Sequence, residues 1–208
     1  MYRHVFWDLG GTLVDTYPQL DEAFVGVVRA HGGEVSLDEV AKLTRRSTGA
    51  AVAELSRRFG VAEGEFERAN GELKALWRRT PAPVMPGARE LLADIAAAGG
   101  LNLVVTHRDR ASALSLVEGL GLGVDDLVST SDGHPRKPDP AMYRVLLERH
   151  GLDAADCLAV GDRPIDAEAA HAAGIRAAML ESAAAPVADD AEHSVETLDG
   201  LRVLLGLE

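Results

Sequence analysis

The 208-residue sequence predicts an α/β fold, a doubly wound parallel sheet with an all-helical insertion. Three observations carry this expectation. Short apolar runs recur along the chain, each followed by a stretch with apolar positions at helical spacing, and strands that alternate with helices form parallel sheets covered on both faces. One long segment, residues 18–79, is helical in period throughout, with Leu20, Phe24, Val27 and Val28 among its apolar positions, and it holds no convincing strand. Several of the apolar runs end on charged or hydroxyl side chains, and in an open α/β sheet such strand ends form the edge where ligands bind.

The first strand is read at residues 4–7, an apolar run that ends on Asp8. Leu9, Gly10, Gly11, Thr12 and Leu13 follow, and the glycine pair lets the chain turn sharply and bring its backbone close to a ligand. The helical insertion is punctuated by Gly32, Gly33 and Gly60, with Ser36 and Asp38 as helix starts and Pro81, Pro83 and Pro86 at its exit. Phe66 and Trp77, at helical spacing among apolar neighbours, read as the core of this insertion. Alternation then resumes: helix over 87–98, strand over 101–105, helix over 110–120, a short strand over 126–130 and helix over 140–150. A strand over 157–160 ends in Gly161 and Asp162, and a helix covers 165–173, with Pro164 in its first turn where a missing N–H is harmless. A further strand is read over 175–180. Residues 183–192, rich in alanine and aspartate and without periodicity, read as a loop. The expected organisation is a Rossmann-like core of residues 1–15 and 82–208 and a helical cap of residues 16–81.

The formal charge of −12 argues against nucleic-acid or anionic-membrane partners, which require a basic surface. It does not exclude a small anionic substrate, since a pocket needs only a few local cations and N–H groups. Cys157 is the only cysteine, which excludes an internal disulfide framework, and no hydrophobic leader or long apolar span is read, so a cytoplasmic location is expected. The chain is expected to be a monomer or a homodimer.

Four strand ends carry the chemistry: Asp8; Thr106 with His107 and Arg108; Lys137 in Arg136-Lys137-Pro138-Asp139-Pro140; and Asp162 with Asp166. Parallel strands would gather three carboxylates, a hydroxyl and an ammonium at one edge. That set suits phosphoryl transfer, which demands positioning and charge neutralisation, with Mg²⁺ held by one or two carboxylates and the substrate phosphate. Asp8 and Asp162 suit the metal, Lys137 and Thr106 suit phosphate oxygens, and a carboxylate can itself attack phosphorus. Arg163 is expected to pair with a neighbouring carboxylate.

Together these motifs resemble the haloacid dehalogenase superfamily, in the helical-cap branch that includes phosphoglycolate phosphatases. The family pattern is D-x-D-G-T, a Thr or Ser closing the second strand, a Lys before a helix, and G-D-x-x-x-D. This chain supplies Asp8, Gly11 and Thr12, then Thr106, Lys137, and finally Gly161, Asp162 and Asp166, in order and across almost its whole length. The resemblance implies a Mg²⁺-dependent phosphatase acting on a small phosphorylated metabolite through an aspartyl phosphate on Asp8. It further implies Asp8, the Gly10 carbonyl, Asp162 and Asp166 at the metal. Thr106 and Lys137 would bind the phosphate, with help from N–H groups near Gly11 and His107. Receiver domains of response regulators share phosphorylatable Asp, Thr and Lys, but their nucleophile follows the third strand.

Gly10 departs from the pattern, for family phosphatases carry there a second aspartate that protonates the leaving group and activates water. Such help is worth ~10²–10⁴-fold. Three explanations stand open. Another residue, His107, Asp15 or His134, supplies the proton; or the chemistry is carbon–phosphorus cleavage through a cap lysine, Lys42 or Lys74; or the chain is a weakly active or non-catalytic binding or regulatory protein.

Overall fold

In the computed structural model, residues 1–182 and 191–207 are described. The loop expected over 183–192 therefore lies, except for Ala191 and Glu192, outside the described residues. Six strands form one parallel sheet: β1 (His4–Trp7), β2 (Asn102–Thr106), β3 (Asp126–Ser129), β4 (Cys157–Gly161), β5 (Arg176–Leu180) and β6 (His193–Val195), in the order β3-β2-β1-β4-β5-β6. Trp7 of β1 lies in register with Val104 of β2 on one side and Val160 of β4 on the other. The direction of winding reverses between β1 and β4, and in doubly wound sheets the crevice at that reversal takes the ligand.

The strands are apolar along their length because both faces are covered. Val5, Trp7, Val104, Leu158 and Val160 face one cluster with helices α5 (Ala88–Ala97) and α6 (Arg110–Gly119). Phe6, Leu103, Val105 and Ala159, alternating with them, face a second cluster with α7 (Ala141–His150) and α8 (Pro164–Ala172). β6 and the short helix α9 (Leu201–Leu205) are absent from the sequence reading. β6 has three residues of mixed polarity and is recruited by pairing with β5, and α9 is held by Leu201 and Leu205 burying against the first cluster. Neither is long enough to show a period.

Between β1 and α5 stand four helices and no strand: α1 (Tyr17–Ala30), α2 (Leu37–Arg46), α3 (Thr48–Phe59) and α4 (Glu63–Trp77). They share a separate cluster built on Leu20, Phe24, Val28, Val40, Leu55 and Phe66. Ser36 opens α2 through a capping box with Glu39, and Gly60 at φ +67° closes α3 in the left-handed conformation that favours glycine. Trp77 corrects the sequence reading: it packs in the sheet-side cluster, not in the helical one. It ends α4 as the chain returns toward the sheet, and its indole N–H donates to Gln19 Oε1. The outgoing and returning segments run antiparallel, with Asp15 N–H donating to Pro83 O and Met85 N–H to Leu13 O, each at 2.9 Å or less. Among the described residues, no helix is long and apolar enough to cross a membrane.

Candidate active site

Asp8 follows β1 and takes its backbone position from the sheet, its N–H donating to Val160 O of β4 at 2.9 Å. Asp162 follows β4, the adjacent strand, so the topology alone sets these two carboxylates side by side at the point of reversal. Asp166 lies in the first turn of α8, after Pro164, where the helix dipole favours a negative charge. Asp8, Asp162 and Asp166 are all buried, and each presents an oxygen within 4.8 Å of the others'.

Lys137 joins the set from the loop before α7. Its buried Nζ donates to Asp8 Oδ1 at 2.6 Å, Asp166 Oδ1 at 2.5 Å and Val105 O at 3.0 Å, which uses all three of its N–H groups. Burial opposes the ammonium, but Asp166 and Asp8 outweigh it and hold the pKa above the ordinary lysine value. Asp166 Oδ2 accepts the Arg163 N–H at 3.1 Å, so both of its oxygens are engaged and Lys137 is held from behind. This close approach depends on Gly161, whose Cβ would lie only 2.6 Å from Asp166 Cγ.

Asp162 accepts from Thr12 Oγ1 at 3.3 Å and from the Tyr17 phenol at 2.8 Å. Burial, followed by Asp8 and Asp166, pushes its carboxyl up to about 7. Lys137 reaches Asp8 and Asp166 but not Asp162, and the Asp162 carboxyl stays raised despite the nearby Arg163 guanidinium, a strain that a further cation would relieve. The donors are hard oxygens, the chemistry that Mg²⁺ selects. The residues present fit such an ion.

Thr106 closes β2 and is buried; its Oγ1 accepts the Arg108 N–H at 3.2 Å, which leaves the O–H free to donate. His107 Nε2 is buried without a partner among the described residues. Burial first, then Lys137, Arg163 and Arg136, push this imidazole down to about 3, so it is neutral across the physiological range.

Gly11 differs from its expected use as a phosphate donor, because its N–H is already committed to Val14 O at 2.8 Å. Its contribution is clearance: at φ +96° a Cβ would come within 2.8 Å of Asp162 Oδ2. Burial opposes the charge of the Arg163 guanidinium, but Asp8 and Asp166 outweigh it and hold its pKa above the ordinary arginine value. The Arg163 main-chain N–H makes the carboxylate contact, while its side-chain Nε is buried with no hydrogen-bond partner among the described residues. The sequence reading missed Tyr17, and it placed Arg108 at the end of the second strand without giving it a role of its own. Tyr17 is the first residue of α1, stacked under the Arg45 guanidinium at 3.7 Å, and Arg45 is in turn paired with Asp21 at 2.9 Å. Arg108 follows Thr106 and His107 immediately, and that adjacency was the available signal.

The chain is similar to known proteins in both sequence and fold. A family model described as haloacid dehalogenase-like hydrolase matches residues 2–174. The chain is 34% identical over 193 residues to a phosphoglycolate phosphatase of Rhodospirillum rubrum, covering 86% of this chain and 80% of that protein. It is likewise 34% identical over 189 residues to a phosphoglycolate phosphatase of Nitrosospira multiformis, covering 83% and 80%. Among solved structures, a hydrolase from Deinococcus radiodurans with bound phosphate and sodium superimposes with a TM-score of 0.80 at 22% identity, over 99% of this chain and 95% of that one.

Proposed function

Because the chain belongs to the haloacid dehalogenase-like hydrolases, we propose that it dephosphorylates a small phosphorylated metabolite with Asp8 as the nucleophile. The observation that carries this reading is the Asp8–Lys137–Asp166 chain of contacts at 2.5–2.6 Å, buried at the reversal point of the sheet. An ammonium that donates to Asp8 Oδ1 leaves Oδ2 to attack phosphorus in line with the departing oxygen. Thr106 offers its O–H, and neutral His107 an imidazole nitrogen, to the phosphoryl oxygens. A Mg²⁺ ion, held by Asp8, Asp162 and the Gly10 carbonyl, would supply charge neutralisation for the transferring group. Asp166 anchors Lys137 in this scheme, and its fully engaged oxygens make direct metal ligation secondary.

The bond from phosphorus to the leaving oxygen breaks as the bond to Asp8 forms, and water then cleaves the aspartyl phosphate to release phosphate. His107 is a poor replacement for the missing acid, since its imidazole is neutral well below physiological pH. Carbon–phosphorus cleavage is also disfavoured. A Schiff-base lysine needs a depressed pKa in a desolvated pocket, whereas Lys42 is exposed and paired with Asp38 at 2.7 Å and Lys74 with Asp109 at 3.4 Å.

The test is phosphate release from p-nitrophenyl phosphate with and without Mg²⁺, for wild type and Asp8→Asn, with mass spectrometry of acid-quenched protein to find the phosphoaspartate. Activity that requires Mg²⁺ and vanishes in Asp8→Asn, with the modification on the Asp8 peptide, is the expected result. Turnover that survives Asp8→Asn removes the nucleophile from the scheme. An inert wild type favours the non-catalytic reading that Gly10 keeps open.

A further inference from the structure

The space where a side chain at position 10 would project faces a cation. A Cβ built on Gly10 would lie 3.0 Å from Thr16 Oγ1, 3.6 Å from Nε and 3.7 Å from Nη2 of Arg108. The two Arg108 nitrogens form the side-on edge of the guanidinium, the edge that grips planar oxyanions in a bidentate fashion. The rest of the group is clamped. Nη1 donates to Ser112 Oγ at 3.2 Å, and Trp77 backs the guanidinium with its ring centroid 4.8 Å from Cζ. Nε itself is buried and has no hydrogen-bond partner among the described residues. A buried cationic N–H is costly to leave unpaired, which marks it as a site for an acceptor brought by a ligand.

We propose that the substrate is an acyl phosphate, a mixed carboxylic–phosphoric anhydride, and that the Nε/Nη2 edge of Arg108 receives its leaving carboxylate. The inference rests on the phosphatase reading given above and deepens it. Two independent features converge on it. Position 10 supplies no proton, and a carboxylate, whose conjugate acid has a pKa of ~4, needs none at neutral pH. The Nε/Nη2 edge of the fork also matches the two oxygens of a carboxylate, which an alkoxide lacks. In the first step an Asp8 oxygen bonds to phosphorus while the phosphorus–oxygen bond of the anhydride breaks. The electron pair stays on the bridging oxygen, so the group departs as a carboxylate spread over both oxygens. Water then attacks the aspartyl phosphate, its protons remain with the phosphate product, and the Asp8 carboxylate is regenerated.

The experiment compares kcat/KM for acetyl phosphate, p-nitrophenyl phosphate, 2-phosphoglycolate and ethyl phosphate in wild type, Arg108→Gln, Arg108→Lys and Gly10→Asp. 2-Phosphoglycolate carries a carboxylate that is not its leaving group, so it separates gripping of any carboxylate from gripping of the departing one. In wild type, acetyl phosphate is expected to exceed 2-phosphoglycolate by at least ~10²-fold, the scale of missing acid catalysis. Arg108→Gln should lower acetyl phosphate hydrolysis by about 10²-fold, the cost of losing one oxyanion donor, and p-nitrophenyl phosphate hydrolysis far less. Added guanidinium should restore part of that loss, whereas Arg108→Lys, which keeps charge but not the fork, should fall between. Gly10→Asp should also depress acetyl phosphate turnover, because its carboxylate would fill the fork from within. If 2-phosphoglycolate is hydrolysed as well as acetyl phosphate, or if Arg108→Gln lowers every substrate equally with no guanidinium rescue, the inference is wrong while the phosphatase reading stands. A wild type inert on all four substrates sinks both.

Discussion

At the scale of single residues, Gly10 bears on both halves of the reaction. The acid that would protonate a leaving group is the same group that would later activate water, and a substrate with a stable leaving anion removes only the first need. Dephosphorylation of Asp8 should then be the slow step. Rapid mixing with p-nitrophenyl phosphate is expected to show a burst of p-nitrophenolate comparable to the enzyme concentration, followed by slow turnover; a linear trace from the first turnover contradicts this. Lys137 makes the second prediction. Its Nζ neutralises two buried carboxylates, so Lys137→Met should cost about 3–5 kcal/mol in urea denaturation, the scale for breaking a buried charge pair. Asp8, Lys137, Asp162 and Asp166 were legible in the sequence as residues of the ligand edge, because each is a charged residue placed after an apolar run or before a helix. The Gly11 N–H was misread because its partner, Val14 O, is a matter of how the turn closes.

At the scale of elements, α4 is where insertion and sheet meet. Its amphipathic period is continuous, so sequence assigns Trp77 to the same core as Phe66; the structure divides them because the helix ends as the chain returns to the sheet. Trp77 thereby joins three regions, packing on the sheet-side cluster, bonding Gln19 of α1 and backing Arg108 in the loop between β2 and α6. Trp77→Ala is expected to destabilise the protein by about 3–5 kcal/mol, as for other buried aromatic truncations. It should also weaken hydrolysis of acetyl phosphate in the same direction as Arg108→Gln, since the guanidinium loses its backing. A Trp77→Ala protein with unchanged stability and kinetics would place that ring outside the site. The long strands were readable because burial on both faces makes them apolar throughout, whereas β6 is a strand only because β5 offers it an edge.

At the scale of the whole molecule, the sheet concentrates negative charge at one edge of an already acidic protein. Burial, with Asp8 and Asp166, raises the Asp162 carboxyl to about 7. An acid raised on folding favours the folded state while protonated. That contribution is full below the unfolded value near 4 and is lost as pH rises to about 7. Metal-free wild type should therefore be less stable than Asp162→Asn at pH 8, with the difference shrinking toward pH 4–5. Mg²⁺ should stabilise wild type at pH 8, by about 2.7 kcal/mol at a hundredfold excess over Kd, and stabilise Asp162→Asn less. Thermal melts across pH, with and without Mg²⁺, measure both; a wild type that melts above Asp162→Asn at pH 8 without metal contradicts the electrostatic account.

The sequence by itself determined the α/β alternation, the helical insertion and the residues that approach the ligand edge, because burial patterns and strand-end chemistry are local and periodic. Only the tertiary structure decided what faces Gly10. Arg108 lies far from it along the chain, and the two meet because β1 and β2 are neighbours whose ends open on the same crevice. Which groups share a low-dielectric pocket depends on strand order and packing across the sheet, and there the position of an absent aspartate faces the Arg108 Nε, which has no hydrogen-bond partner among the described residues.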